Sequence, residues 1–310
     1  MKRISIVLFI VSLLLLSGCS NSNPENDERI QVITSLFPQY DFVRQIAKDK
    51  VALTLLLPPG VEAHSFDPTP SQIISITQSD LFIYTNEALE PWIDKIVENV
   101  KSDRPLIVES SLGIQYLKDN ETHSEDDVES PNELVDPHVW LDPLNAKIMV
   151  TNILNALISV DPVNESFYLN NANDYLKQLD DLDNEYTTLF ESTDNDTIVY
   201  GGHFAFGYLA ERFNLTILSP YTGFSPDSEP TASAISELIQ TINEKNIKII
   251  FYEELIDPKV ARVISDQTGT EAMLLHGAHN LTPQEMEDGI TYLEIMYENA
   301  NKLRKALSYE

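Results

Sequence analysis

Cysteine is nearly absent from the chain: Cys19 is the only one in 310 residues. Without a second thiol no internal disulfide can form, even in an oxidising compartment. Cationic residues are also scarce, 20 Lys and Arg against 49 Asp and Glu, for a net charge of −29. Such a surface repels nucleic acid and anionic lipid and attracts cations, so nucleic-acid binding is set aside. Beyond residue 18 no apolar run is long enough to cross a membrane. No H-E-x-x-H occurs, which removes one common mark of a zinc peptidase. What the chain does have is a globular composition, 43% hydrophobic and 22% charged. Its length suits two domains of roughly 120–150 residues each.

The N-terminus carries a processing signal. Lys2 and Arg3 precede the apolar run "ISIVLFIVSLLLL" (4–16), which is short for a membrane span and leads into "LSGC" (16–19). A small-residue pair directly before cysteine is how a bacterial lipoprotein signal ends. Residues 1–18 are therefore expected to be a signal peptide and Cys19 a lipidation site. The polar stretch through residue 29 then reads as a tether.

From residue 30 to 160 short apolar runs alternate with helical patterns, the arrangement of a parallel sheet with helices on its faces. Strand candidates are 30–36, 51–57, 80–85 and 106–110; helix candidates are 40–48, 70–78 and 91–100. The pattern repeats over 194–310, with strands expected at 197–202, 215–220, 247–253 and 271–276. "DPTPSQI" (67–73) and "EPTASAI" (229–235) share an acid-Pro-Thr-x-Ser-x-Ile pattern, each opening a helix. In the first, Thr69 can cap, Pro70 takes the first helical position and Gln72 closes a capping box. Between the halves, 161–193 repeats apolar residues at three- and four-residue steps behind Asp161-Pro162 and contains no glycine. One stiff helix of roughly 45 Å is expected there, joining the domains and limiting their closure. The segment 119–136, with eight acidic residues and few apolar ones, is expected to be a surface loop.

Histidine is rare, six in all, and four lie at corresponding points. His64 sits past the second strand and His138 in "DPHVWLDP". His203 ends "VYGGH" after a strand, and His279 follows the last strand. Ligand sites in open parallel sheets lie at the carboxyl ends of strands, so two sheets facing across a cleft could bring these rings together. Imidazole suits Zn²⁺, which takes four N or S ligands, whereas Mn²⁺ prefers carboxylate oxygens. A lone histidine at any one of these points would more often be structural.

The segments "GVEAHSFDPTPSQI", "DPHVWLDP", "GGHFAFGYLAERF" and "FSPDSEPTAS" resemble the motifs of the metal-binding lipoproteins of bacterial ABC importers, in their zinc-uptake (ZnuA-like) branch. The resemblance runs from about residue 30 to the C-terminus. It implies two parallel-sheet α/β domains joined by one long helix, with metal bound in the interdomain cleft and delivered to a membrane permease. Carried over by residue, it places the first three metal ligands on His64, His138 and His203. Manganese-type relatives usually have glutamate third, so His203 favours zinc. The chain departs from the family in two places. The histidine-rich loop common in zinc members is represented in 119–136 by His123 alone. The fourth ligand, commonly Asp or Glu, falls in a stretch without acids between Glu271 and Glu285; aligning "LLHGAHNLTPQEM" (274–286) on the family's strand-loop-helix puts His279 there, with His276, at the strand end, or water as the alternatives.

The expected function is therefore a monomeric, lipid-anchored Zn²⁺-binding protein of an ABC importer on the extracytoplasmic face of the membrane. Alternatives are a manganese or other divalent-metal carrier, an adhesin with a structural metal, and a zinc hydrolase using Glu62 or Glu254 as base. The hydrolase would need an open coordination site, and ligands drawn from both domains speak against an enzyme.

Overall fold

The computed structural model describes residues 28–98, 100, 104–118, 135–193, 195–221 and 229–308. The signal peptide, Cys19, most of the tether, and 119–134 with His123 lie outside the described residues, as does 222–228.

The first lobe is a four-stranded parallel sheet in the order β2-β1-β3-β4, with β1 at Ile30–Thr34, β2 at Val51–Leu55, β3 at Leu81–Tyr84 and β4 at Leu106–Glu109. The sequence explains the order: "LFIY" of β3 is buried at every position, as an inner parallel strand must be, while β2 at the edge is fully buried only at Val51. Helix α1 (Phe37–Ala47), α2 (Pro70–Gln78) and α3 (Ile93–Val97) connect the strands. Helix α2 begins as its residues dictate: Thr69 accepts from the Gln72 N–H, the Gln72 side chain returns to the Thr69 N–H, and Pro70 takes the first turn.

The second lobe repeats the plan. Strands β5 (Thr197–Val199) and β6 (Thr216–Leu218) pair in parallel, as do β7 (Ile249–Tyr252) and β8 (Glu271–Leu274). A single parallel bridge, Tyr200 to Phe251, joins the two pairs. The resulting order, β6-β5-β7-β8, matches that of the first lobe. Helices α6 (Gly207–Phe213), α7 (Ala232–Lys245), α8 (Lys259–Thr268), α9 (Pro283–Asp288) and α10 (Tyr292–Leu307) complete it. The echo of the α2 motif holds only in part. Thr231 caps α7 by accepting from Ala234 N–H, but alanine at the third position cannot return a bond.

Helices α4 (Pro143–Val160) and α5 (Glu165–Glu191) lie between the lobes, bent 117° at their junction. No helix was expected over 143–160, yet the second Asp-Pro of "DPHVWLDP" starts one. Asp142 accepts from Leu144 N–H and Pro143 occupies the first turn. The connecting helix is shorter than the 161–193 expectation. Pro162–Asn164 forms a 3₁₀ turn, because the Asp161 carboxylate accepts from Asn164 Nδ2 and Tyr168 Oη instead of capping an α-helix. Helix α5 still runs 27 residues, about 40 Å at 1.5 Å each. It buries Tyr168, Ala172, Tyr175, Leu179, Leu182, Tyr186, Leu189 and Phe190 along one face. Asn171 reaches Ile46 O in the first lobe and Tyr186 reaches Met296 O in the second. One hydrophobic core runs through both lobes, from Val32 and Phe42 by way of Trp140 to Phe251 and Tyr292. Separating the lobes would expose it, so the joint is stiff. Among the described residues no single helix is long and apolar enough to cross a membrane.

Candidate metal centre

Four loops at the carboxyl ends of strands meet where the lobes face each other. His64 comes from the loop after β2. His138 opens a 3₁₀ turn (Val139–Leu141) ahead of α4, His203 follows β5, and His279 follows β8. The ring centroids lie 4.8 Å apart for His138 and His203, 4.9 Å for His64 and His203, and 5.1 Å for His64 and His138. His279 is 5.0 Å from His138, 5.6 Å from His64 and 6.3 Å from His203. Candidate ligand atoms of His64, His138 and His203 all fall within 4.8 Å of one another; His279 borders this trio. His138, His203 and His279 are buried, and only His64 is partly exposed.

Each buried ring is fixed by a carboxylate behind it. Asp136 Oδ1 lies 2.7 Å from His138 Nδ1, Glu253 Oε2 3.3 Å from His203 Nδ1, and Glu254 Oε1 3.0 Å from His279 Nδ1. A carboxylate can only accept, so each Nδ1 carries the proton and each Nε2 presents its lone pair inward. The Nε2 atoms of His203 and His279 are buried without a hydrogen-bond partner among the described residues. That of His138 faces His64 Nε2 at 3.1 Å. Two nitrogens on one tetrahedral Zn²⁺ would stand about 3.3 Å apart, given bonds of about 2.05 Å. Lone pairs converging without donors between them are costly unless a cation fills the gap.

Glycines make this arrangement possible. A Cβ on Gly202 would stand 2.8 Å from Glu253 Oε1, and one on Gly277 would stand 2.6 Å from the His279 ring. A Cβ on Gly207 would collide with Asp136 Oδ2. Every carboxylate-imidazole pair thus leans on a residue that has no side chain.

The electrostatics follow from burial. Burial, then the neighbouring His279 and His203, drive His64 down to about 2; burial and the other three rings hold His138 well below its ordinary value. These rings stay neutral, as metal ligands must. Burial also opposes charge on His279, but the Glu254 bond outweighs it and raises that pKa. Glu254 remains ionised well below the usual carboxylate range: its burial is overcome by His276, His279 and the Gly277 N–H. Burial lifts Asp136 to about 7, against the His138 N–H and His279.

His276 points elsewhere. Its Nδ1 accepts the Ala278 N–H at 2.9 Å, which puts the ring proton on Nε2, 3.7 Å from Glu285 Oε1. Asp136, expected at the end of a solvated acidic loop, is fully buried. The loop reading does not extend to it, because Val135 pairs with Lys118 and Asp136 N–H bonds Leu117 O. Asp136 and Glu253, which lie against the Nδ1 atoms of two candidate ligands, are absent from the sequence reading; an acid two residues before a candidate ligand was the available signal for the first. Glu254 and Glu62 are not free bases. Glu254 accepts from Gly277 N–H, His279 N–H and His279 Nδ1, and Glu62 accepts from His64 N–H and Ser65 N–H.

Two parallel α/β lobes on a rigid helix, with inward-facing imidazoles between them, define a metal receptor that binds by enclosure. The chain belongs to the ZnuA family, "Zinc-uptake complex component A periplasmic", whose model matches residues 32–306. It is 33% identical over 310 residues to the high-affinity zinc uptake system protein ZnuA of Bacillus subtilis (strain 168), covering 97% of each chain. Its fold is similar to that of the metal-dependent lipoprotein YcdH from Bacillus subtilis, with a TM-score of 0.77, 33% identity and coverage of 91% of this chain and 100% of that one. The Zn(II)-bound ZnuA-like domain of Streptococcus pneumoniae AdcA gives a TM-score of 0.77 at 27% identity, over 91% of this chain and 100% of that one.

Proposed function

We propose that the protein captures Zn²⁺ between its lobes with His64, His138, His203 and His279 and hands it to the membrane permease of an ABC importer. The observation that carries this reading is the convergence of four imidazoles whose outer nitrogens are bound to carboxylates or held at the rim. The four-ring set favours zinc over manganese, because the nearby carboxylates are engaged by imidazole N–H groups and cannot turn inward as oxygen ligands. Zinc fully enclosed by four nitrogens has no open position for a reacting water, which supports binding and not catalysis. Cys19 is the site of a lipid anchor, residues 20–29 tether the folded part to the outer face of the membrane, and the protein works there as a monomer. The domains run 30–160 and 194–310, joined by 161–193.

Metal analysis with an anomalous-scattering map at the zinc edge tests the site. One zinc per chain within bonding distance of all four Nε2 atoms is expected. A metal bound elsewhere, or by three rings with His279 turned away, overturns the ligand set. Growth of a deletion strain in zinc-depleted medium tests transport: normal growth in a strain without a redundant importer refutes it.

A further inference from the structure

The four candidate ligands are not held alike. His138, His203 and His279 are buried and fixed by carboxylates, and the elements around them are tied across the lobes. Trp140 Nε1 donates to Gly277 O at 2.8 Å, Tyr292 Oη to Trp140 O at 2.5 Å, and Tyr208 Oη to Asp136 O at 2.6 Å. His64 is partly exposed and, among the described residues, nothing bonds its Nδ1. It rides on a loop, 58–69, in which Pro58, Gly60, Val61, Ser65 and Asp67 are exposed. Ala63 is buried and Phe66 packs edge-on to Trp92 of its own lobe, so the part of the loop with little apolar anchoring is 58–62, just ahead of them.

The opposite lobe holds it instead. Asn280, next to His279 and fully buried, donates one Nδ2 hydrogen to Pro58 O at 2.7 Å and the other to Val61 O at 3.0 Å. Its Oδ1 accepts the Leu281 N–H at 2.9 Å, which fixes the amide's orientation. Beside it, Gly60 N–H donates to Leu281 O at 2.7 Å. Gly60 has φ +84°, a left-handed conformation that glycine adopts without strain, and a Cβ there would meet Pro283 at 3.3 Å. Only a side-chain amide can give two hydrogens outward while accepting one from its own turn: Asp keeps the acceptor and loses both donors, and Ala loses all three.

We propose that Asn280 is a positioning residue that pins the His64 loop to the opposite lobe and thereby sets how long zinc is held. The inference rests on the assignment of His64 as a ligand. Opening the site then means breaking a few neutral hydrogen bonds at the rim, not parting the shared core. Anything that competes for the Pro58 and Val61 carbonyls frees His64 first.

The test is stopped-flow release of zinc into excess chelator at pH 7.5 from the full chain, for wild type, Asn280→Ala, Asn280→Asp, His64→Ala and the His64→Ala/Asn280→Ala double variant. Amide hydrogen exchange is followed in parallel. Loss of two neutral bonds predicts release about tenfold faster or more in both Asn280 variants, with the association rate changing about twofold at most. The Gly60 amide should exchange faster while amides of α10 keep their protection, which a general loss of stability would not produce. In the His64→Ala background, Asn280→Ala should add little further acceleration. Release within twofold of wild type in Asn280→Asp overturns the proposal, as does an equal acceleration with and without His64. Unchanged zinc affinity in His64→Ala refutes the ligand assignment itself, and the latch falls with it. Should Asn280→Ala fail to fold, Asn280→Asp, which keeps the turn's own bond, carries the test.

Discussion

Replacing Glu254 by glutamine changes one atom and separates the two things its carboxylate does. Oε1 accepts from His279 Nδ1 at 3.0 Å and His279 N–H at 3.2 Å, while Oε2 accepts from Gly277 N–H at 2.6 Å. The amide has one oxygen for two groups of donors, so in either orientation its NH₂ confronts an N–H in a site with no room to turn. If the amide oxygen stays on Gly277, His279 loses the acceptor that fixes its tautomer. If it stays on His279, the Gly277 N–H is orphaned at a cost of about 1–3 kcal/mol. Loss of an outer partner of this kind lowers metal affinity about 10- to 100-fold, or about 1.4–2.7 kcal/mol. The pH profile gives a second reading. Glu254 raises the His279 pKa, so in the metal-free protein this pair contributes stability below the unfolded value of about 6.5. That contribution is lost as pH rises through the folded value. Zinc needs the neutral ring, so wild-type affinity should fall about tenfold per pH unit below the folded pKa, and Glu254→Gln should move that break to lower pH. Zinc affinity is measured by competition with a chromophoric chelator from pH 5 to 8. A folded variant with affinity within twofold of wild type at pH 7.5 and an unmoved break would refute the role of Glu254 and, with it, ligation by His279.

Other perturbations follow from the same contacts. Gly207→Ala should drive Asp136 off His138 Nδ1 and cost about 10- to 100-fold in zinc affinity without touching a ligand, by the same competition assay; unchanged affinity would mean that Asp136 is not needed to orient the ring. Glu90, whose Oε2 accepts from Thr85 N–H, is raised to about 7 chiefly by burial. Its contribution is greatest below the unfolded value near 4.5 and falls by about 3 kcal/mol as pH rises through 7. Urea denaturation of Glu90→Gln should therefore depend less on pH between 5 and 8 than wild type, and parallel profiles would contradict this. Leu179→Ala, in the fully buried face of α5, should cost about 2–5 kcal/mol of unfolding free energy; a loss under 1 kcal/mol would mean the helix does not bridge a packed core. Free zinc at a thousand times its dissociation constant should stabilise the protein by about 4 kcal/mol, reversibly on chelation; a melt indifferent to zinc would count against a folded-state site.

The two lobes share a strand order, yet the histidines do not occupy matching loops. In both, the chain passes from the first strand to an edge strand and returns past it. This puts β1 and β3, and their counterparts β5 and β7, in the middle of each sheet; of the candidate ligands only His203 directly follows an inner strand, while His64 follows the edge strand β2 and His279 the edge strand β8. The ligand-bearing loops then face each other because α4, α5 and α10 lock the lobes in one orientation. Arg212 reinforces this by pairing with both Asp142 at the start of α4 and Asp183 on α5.

Much of this was legible in the residues. The β/α alternation, the α2 capping box and the apolar face of α5 depend on neighbours three or four positions apart, which a sequence displays directly. The same holds for the four histidines, whose contexts at strand ends mark them without reference to distance. Helix α4 is absent from the sequence reading although Asp142-Pro143 announces it, because an Asp-Pro pair opens a turn as readily as a helix. Asp136 went unrecognised because acids usually stay in water, and nothing local shows that this one is covered by Gly207 from the other lobe. The sequence favours His279 over His276 only through the family's strand-loop-helix alignment, because nothing local separates the two rings. Both follow the same strand three residues apart, and only the fold commits the Nδ1 of one to the Ala278 N–H and the Nδ1 of the other to Glu254. Sequence by itself determined which residues could bind a metal and on what kind of scaffold. Tertiary structure decided which nitrogen lone pairs point inward, because that depends on hydrogen-bond partners as far from the rings in sequence as Glu253 is from His203.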